Sequence, residues 1–271
     1  MDISFWKMHG AGNDFILADD RAGTFPAADR EWIASVTARR TGVGAEGVIL
    51  IQPSDKADFR MRFFNPDGGE VEMCGNGARC VARLAYEIGA APVRTTIDTV
   101  AGILKADVIG DSVRLEMTKP KDWRLNQVLE AAGRRFAYGF VNSGVPHVVA
   151  EVDDLEEIDV ARYGAAIRSH ADFAPAGTNA NFISVDGPQS LSVRTYERGV
   201  EGETLACGTG VVASALIAGK LGWAKPPVSV RCASGDVLEV NYRLTQDGAE
   251  EVALLGPAVH VFHGVLTYPR A

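Results

Sequence analysis

The chain contains two copies of one pattern. Cys74-Gly-Asn-Gly and Cys207-Gly-Thr-Gly stand 133 positions apart (207 − 74). The same offset pairs Glu70 with Glu203, Gly89 with Gly222 and Gly102 with Gly235. Upstream it sets Phe15-Ile16 against Val148-Val149, Asp20 against Asp153 and Gly44 against Gly177. One ungapped offset over that span reads as duplication of a unit, and two copies are too few for a solenoid. The 271 residues therefore divide into two similar halves, each of about 120–135 residues. We place the first at residues 1–118 plus 263–271, carrying Cys74, and the second at 119–262, carrying Cys207.

Each half carries the same coarse signals. Alternation such as Ser112-Val113-Arg114-Leu115-Glu116-Met117 is the period-2 mark of a half-buried strand. Similar short runs recur at 14–17, 47–51, 59–64, 94–98 and 102–109. In the second half they recur at 148–152, 180–185, 190–196, 228–232, 237–242 and 250–255. Helices are expected at 27–39 and 155–170, and at 75–88 and 208–221. The last two are each closed by a glycine, Gly89 or Gly222. The 208–221 segment is apolar nearly all round and should be buried. These signals predict an α+β fold: two pseudo-symmetric domains, each a curved, mostly antiparallel sheet or barrel around a central helix. Lys, Pro, Asp and Arg cluster at 118–134, which reads as a linker. The segment 257–269 is read as returning to the first half.

Several classes are excluded at this stage. With 27 Lys and Arg against 35 Asp and Glu, the net charge is −8, which argues against a nucleic-acid surface. No apolar run reaches the ~18 residues a membrane span needs. The start MDISFWKMHG lacks the basic and apolar regions of a signal peptide. Four cysteines make no disulfide scaffold, so we expect free thiols and a cytoplasmic location.

Both repeated cysteines directly precede Gly-X-Gly and a helix. The first-turn N–H groups of a helix lack intrahelical partners, and the macrodipole adds partial positive charge there. A thiol at that point has its thiolate stabilised, and the glycines let a carboxylate approach the backbone. Two such thiols from duplicated halves suit inversion of a carbon centre: one removes a proton from one face, and the other delivers a proton to the opposite face. Developing charge would go to an α-carboxylate held by the helix N-termini. No nucleotide-binding, Walker or H-E-x-x-H pattern is present, so no cofactor is expected. The alternatives are a small buried hydrophobe, which is the reading for Cys80 and Cys232, a metal site and a redox pair. The Cys74-x5-Cys80 spacing does not suit a metal, and no metal is expected.

The segments 8–15 (MHGAGNDF), 64–80 (FNPDGGEVEMCGNGARC) and 196–210 (YERGVEGETLACGTG) closely resemble the diaminopimelate epimerase family, and the similarity runs from about residue 5 to residue 264. Proline and hydroxyproline racemases and the phenazine-biosynthesis isomerase share that family's fold, but they differ around the first cysteine. The resemblance implies a cofactor-independent isomerase that converts LL-2,6-diaminopimelate to the meso form in lysine and peptidoglycan precursor synthesis. It also implies a cytoplasmic homodimer with an active site between the two domains of each chain. Cys74 and Cys207 match the family's two bases. Gly75-Asn76 and Gly208-Thr209 match the turns that hold the reacting carboxylate. Asn13, Asn65 and Asn179 match substrate-contacting asparagines. Glu197 and Arg198 match the pair that reads the distal amino acid, Glu197 being grouped with the catalytic residues, and His147 matches a histidine that assists one thiol. The chain departs from the family at Val145 and Gly47, where some members carry Asn and Gln.

Two rivals remain at this stage. One is a racemase or epimerase of another amino acid on the same fold. Glu197, Arg198 and the three asparagines weigh against it, because a one-ended substrate would leave them unpaired. The other is a thiol-redox sensing binding protein, which would need no duplicated carboxylate cradle.

Overall fold

A computed structural model describes residues 1–71 and 73–269 of the chain. Glu72, inside the first cysteine motif, and Arg270 and Ala271, at the end of the 263–271 segment, lie outside the described residues. The chain divides into two units, residues 1–115 with 256 onward, and residues 116–255.

The first unit opens with strands β1 (Asp2–Gly10) and β2 (Asn13–Asp19), helix α1 (Arg30–Thr37) and strands β3 (Val48–Gln52), β4 (Phe59–Phe64) and β5 (Glu70–Val71). Helix α2 (Gly75–Glu87) and strands β6 (Arg94–Thr99), β7 (Gly102–Ile109) and β8 (Ser112–Glu116) follow. The second unit runs through β9 (Lys121–Ala131), β10 (Arg134–Asn142), β11 (Pro146–Glu151), α3 (Val160–Arg168), β12 (Asn179–Gly187), β13 (Ser190–Glu197) and β14 (Gly202–Thr204). It ends with α4 (Gly208–Lys220), β15 (Val228–Arg231), β16 (Val237–Leu244) and β17 (Ala249–Pro257), after which β18 (Val259–Thr267) rejoins the first unit.

The two units share one topology. In the first, β2 lies parallel to β3 and β4 parallel to β6, while the pairs β1–β2, β3–β4, β4–β5, β6–β7 and β7–β8 are antiparallel. In the second, β11–β12 and β13–β15 are parallel, and β10–β11, β12–β13, β13–β14, β15–β16 and β16–β17 are antiparallel. Parallel neighbours need a crossover, and the segments carrying α1, α2, α3 and α4 supply it. Helix α2 packs on β1, β2, β3 and β7, and α4 on β10, β11, β12, β13, β15 and β16. Each unit is thus a mostly antiparallel sheet holding one central helix, the α+β architecture expected from the sequence. Val211, Val212, Leu216 and Ile217 of α4 are fully buried, each contributing about 1.5–3 kcal/mol by leaving water.

Four readings of the sequence are corrected. The 118–134 segment is not a linker but carries β9, paired antiparallel with β10. Its alternation is hidden because Asp122 and Asn126 adopt positive φ (60° and 55°), and in the strand only Leu129 and Ala131 are buried. Strands β1 and β10, absent from the expected set, open the two sheets. The helices at 27–39 and 155–170 are shorter, because Asp29 and Asp159 cap them by accepting from Trp32 N and Arg162 N, both at 3.0 Å. The first unit resumes at Gly256 rather than 263, because β18 pairs with β1 from Val259 onward. β18 flanks β1 as β9 flanks β10, so the two strands are equivalents: one precedes its unit and the other closes the chain.

The duplication also carries a slip. Phe64 pairs with Glu70, six residues on, whereas Tyr196 pairs with Glu203, seven residues on. The offset is therefore 133 from β5 onward and 132 across β2, β3 and β4. Ile49 lies opposite Phe63, and their equivalents Asn181 and Thr195 also lie opposite each other.

Candidate active site

In the first unit Cys74 caps α2 with extended backbone (φ −136°, ψ 123°) and is half-buried. Its carbonyl accepts the first helical bond from Ala78 N at 2.8 Å, leaving the helix entrance to Gly75 and Asn76. Nothing lies within 4 Å of where a Gly75 Cβ would stand, so the backbone there is open to a ligand. Asn76 is tied down: its Nδ2 donates to Asn13 Oδ1 at 2.6 Å, and its Oδ1 accepts from Arg79 at 2.8 Å. Asn13 in turn donates to Glu46. Behind these lies Asp14, which accepts from Lys7 at 2.5 Å and from Arg39 at 2.8 Å. Burial works to raise the pKa of Asp14, but the bonds from Arg39 and Lys7 outweigh it and hold the carboxyl below its usual range. Asn65 directly follows β4, and its backbone closes a turn by donating to Gly69 O and accepting from Gly68 N, both at 2.9 Å.

In the second unit Cys207 caps α4 (φ −111°, ψ 107°) and is 7% exposed. Thr209 Oγ1 lies 3.5 Å from Cys207 Sγ and 2.9 Å from His147 Nε2. His147 is fully buried, and burial pushes it down to about 3 against the hydrogen bond from Asn181, with Arg198 adding to the fall. Its imidazole is therefore neutral near pH 7. Asn179 Oδ1 accepts from Arg198 N at 2.7 Å, and the Arg198 guanidinium donates to Ala176 O at 3.1 Å. Burial raises the pKa of Glu197, with Thr204 and Cys207 beside it working the other way. A carboxyl in that state is poised to share or accept a proton.

The expected residues thus fall into two groups. Asn13, Asn76 and Gly75 gather at the Cys74 helix entrance. His147, Asn179, Glu197, Arg198, Gly208 and Thr209 belong to the unit that carries Cys207. Asn65 and Glu197 sit at equivalent places once the slip is counted. Gly47 cannot carry a side chain as placed: a Cβ there would stand 2.4 Å from both the Phe63 ring and the Phe64 carbonyl. Cys80 is fully buried and its thiol is pushed up to about 12 by that burial, so it is inert near neutral pH. Among the described residues no cluster of three or more His, Cys, Asp or Glu is placed to hold a metal ion, and no helix is long and apolar enough to cross a membrane.

Two residues that the sequence reading passed over belong to this site. Asn181 hydrogen-bonds His147, and Thr195 hydrogen-bonds Asn181. The Asn179-Ala180-Asn181 alternation could have shown that both asparagines share a face. The partner strand's register could not be read from sequence.

The two-unit α+β fold, with a central helix in each unit, is shared by other solved proteins. A Bacillus anthracis phenazine biosynthesis protein of the PhzF family matches 99% of this chain and 100% of its own, with TM-score 0.72 at 16% identity. A hydroxyproline epimerase from Agrobacterium vitis matches 98% and 92%, with TM-score 0.69 at 17% identity. These likenesses concern the fold. The profile of the diaminopimelate epimerase family matches residues 5–123 and 139–261. Proteins named diaminopimelate epimerase from Aquifex aeolicus, Archaeoglobus fulgidus and Chlorobaculum tepidum are 41%, 43% and 44% identical to this chain. The alignments cover 98%, 98% and 96% of this chain and 98%, 97% and 100% of theirs. The chain belongs to the diaminopimelate epimerase family.

Proposed function

We propose that the protein epimerises LL-2,6-diaminopimelate to meso-diaminopimelate by two-base proton transfer at one α-carbon, serving lysine and peptidoglycan precursor synthesis. The observation that carries this reading is the duplicated helix cap: each unit presents a cysteine directly before a Gly-X-Gly helix entrance, in a chain whose relatives bear that enzyme's name. Inversion needs a base for one face of the carbon and an acid for the other. Cys74 and Cys207 take those roles. A thiolate at a helix N-terminus is stabilised by unpaired N–H groups and the dipole. The same turns, Gly75-Asn76 and Gly208-Thr209, hold the α-carboxylate where charge grows as the proton leaves.

Asn13, Asn65 and Asn179 contact the substrate. Glu197 meets the distal ammonium and also exchanges protons with Cys207 beside it. Arg198 grips the distal carboxylate in a bidentate pair. No cofactor takes part. The protein works as a cytoplasmic homodimer. Incubating reduced protein with LL-diaminopimelate in D2O tests the reading. Deuterium should enter the α-carbon as the meso form appears, with no cofactor added. Absence of exchange with this substrate, from folded and reduced protein, rejects it.

A further inference from the structure

The position next to the helix entrance is filled differently in the two units. In the first, a Cβ on Gly77 would meet Ile49 Cδ1 at 2.6 Å and Phe15 Cζ at 3.6 Å. Phe63 lies opposite Ile49 and edge-on to Phe15, with ring centroids 5.8 Å apart. In the second, a Cβ on Gly210 would meet Asn181 Oδ1 at 2.4 Å and His147 Cε1 at 3.4 Å, and Thr195 lies opposite Asn181. An apolar trio, Phe15, Ile49 and Phe63, thus answers a polar trio, His147, Asn181 and Thr195. The first unit shows that the sheet and its helix pack with no polar group at this place. Burying three polar side chains costs free energy unless each is satisfied, so their presence next to Cys207 calls for a reason beyond packing.

Their hydrogen bonds run in one direction. Asn181 Nδ2 donates to the Val148 carbonyl at 2.7 Å, and Asn181 Oδ1 accepts from the Thr195 hydroxyl at 3.0 Å. A carbonyl can only accept, so the amide cannot be turned round. The remaining Nδ2 hydrogen points at His147 Nδ1, 3.0 Å away, which must then be the bare nitrogen of the neutral ring. The ring proton sits on Nε2 and goes to Thr209 Oγ1 at 2.9 Å. Asn179 Nδ2, 3.4 Å from the same Nε2, has the Pro146 carbonyl as its acceptor at 3.3 Å. The Cys207 thiol has the Glu197 carboxyl beside it as acceptor for its own hydrogen, so the Thr209 hydroxyl, accepting from Nε2, has its one hydrogen free for Cys207 Sγ at 3.5 Å.

We propose that Asn181, oriented by Thr195, is a positioning residue that fixes His147 as the Nε2–H tautomer, so that the Thr209 hydroxyl donates to the sulfur of Cys207. His147 then takes no proton from Cys207; it is a fixed donor at the head of a chain that favours the thiolate. The ionisable groups beside this chain are Glu197, from β13, and Arg198, which follows it. Glu197 receives the thiol's own proton when Cys207 ionises, while Thr209 holds the sulfur's lone pair. The Thr209 hydroxyl is spent on the sulfur, and only its backbone N–H remains for the substrate carboxylate.

The inference rests on Cys207 being an acid–base thiol, yet its test does not require the substrate. Nitrogen-15 spectra of the intact protein, with the His147 signal assigned by its loss in His147→Gln, should show Nε2 as the protonated nitrogen near pH 7. Site-resolved alkylation of Cys207 against pH, read by mass spectrometry, should shift its midpoint upward by about one pH unit in Thr209→Val. Thr209→Ser should restore it. Asn181→Asp, whose carboxylate draws a proton onto Nδ1, should reverse the tautomer and shift the midpoint the same way. A wild-type ring protonated on Nδ1 overturns the proposal even if every variant misfolds. So does an unchanged midpoint in folded Thr209→Val. Failure of diaminopimelate turnover with these signatures intact would instead reject the substrate.

Discussion

Gly210 lies against Asn181 so closely that a methyl group on its α-carbon would stand 2.4 Å from Oδ1. The glycine lets α4 begin on top of the polar row. Gly210→Ala must push Asn181 off His147 or lift the helix entrance, a strain of about 1–3 kcal/mol. Urea denaturation should show that loss, and proton exchange at the substrate's α-carbon should fall with it. Gly75→Ala is the contrasting case. Its Cβ would meet nothing within 4 Å, so stability should hold or rise by up to about 1 kcal/mol, while the methyl group obstructs the proposed carboxylate cradle. A variant that is stable and fully active at Gly75 would remove that cradle from the mechanism.

The cysteines should separate cleanly by role. Cys74→Ala or Cys207→Ala should cut epimerisation by several orders of magnitude, since each removes one of the two proposed proton carriers. Cys80→Ala should retain most activity and lose roughly 1 kcal/mol of stability from the small cavity it leaves. Steady-state turnover and thermal unfolding of the three variants check this. More than a few per cent of activity in either helix-cap variant would reject the two-base scheme.

What the sequence makes legible follows from where its signals are local. Helices α2 and α4 can be read because Gly-X-Gly starts them and Gly89 and Gly222, at positive φ, stop them. Strands β1 and β9 are harder to read, because β1 buries the charged Lys7 and β9 interrupts its own alternation. The cysteine pair stands out by repetition alone. The polar row behind Cys207 does not, because a strict 133 offset sets His147 against Asp14. One residue of slip exchanges the faces of a strand, and only the pairing of β3 with β4 and of β12 with β13 restores Phe15 as the equivalent of His147.

Acid stability should report His147 directly. The ring is pushed down to about 3 in the folded chain, while an unfolded histidine protonates near its ordinary value of about 6.5. Between those values the unfolded state binds one more proton, so stability is lost as pH falls through this window, at up to ~1.4 kcal/mol per pH unit. Asp14, held below its usual value, adds a loss in the same direction at lower pH. His147→Gln should abolish the histidine's share. The difference in urea midpoint between wild type and variant should then move steadily against the wild type below about pH 6.5. Parallel curves across that range would mean the ring is charged or exposed in solution.

The distal end of the substrate is best probed at Arg198. Its proposed partner is a planar carboxylate, which a guanidinium fork can grip through two bonds and a lysine only as a point charge. Arg198→Lys keeps the charge, and the backbone N–H donated to Asn179 is untouched. The variant should therefore lower kcat/KM for diaminopimelate by about 10- to 100-fold, the cost of a lost charge-assisted bond. Exchange at the α-carbon of a one-ended amino acid, which offers no distal carboxylate, should not change. Glu197→Gln should behave differently, depressing exchange with both substrates, because that carboxyl also borders Cys207. If Arg198→Lys left kcat/KM for diaminopimelate at the wild-type value, recognition of the far end would have to be assigned to other residues.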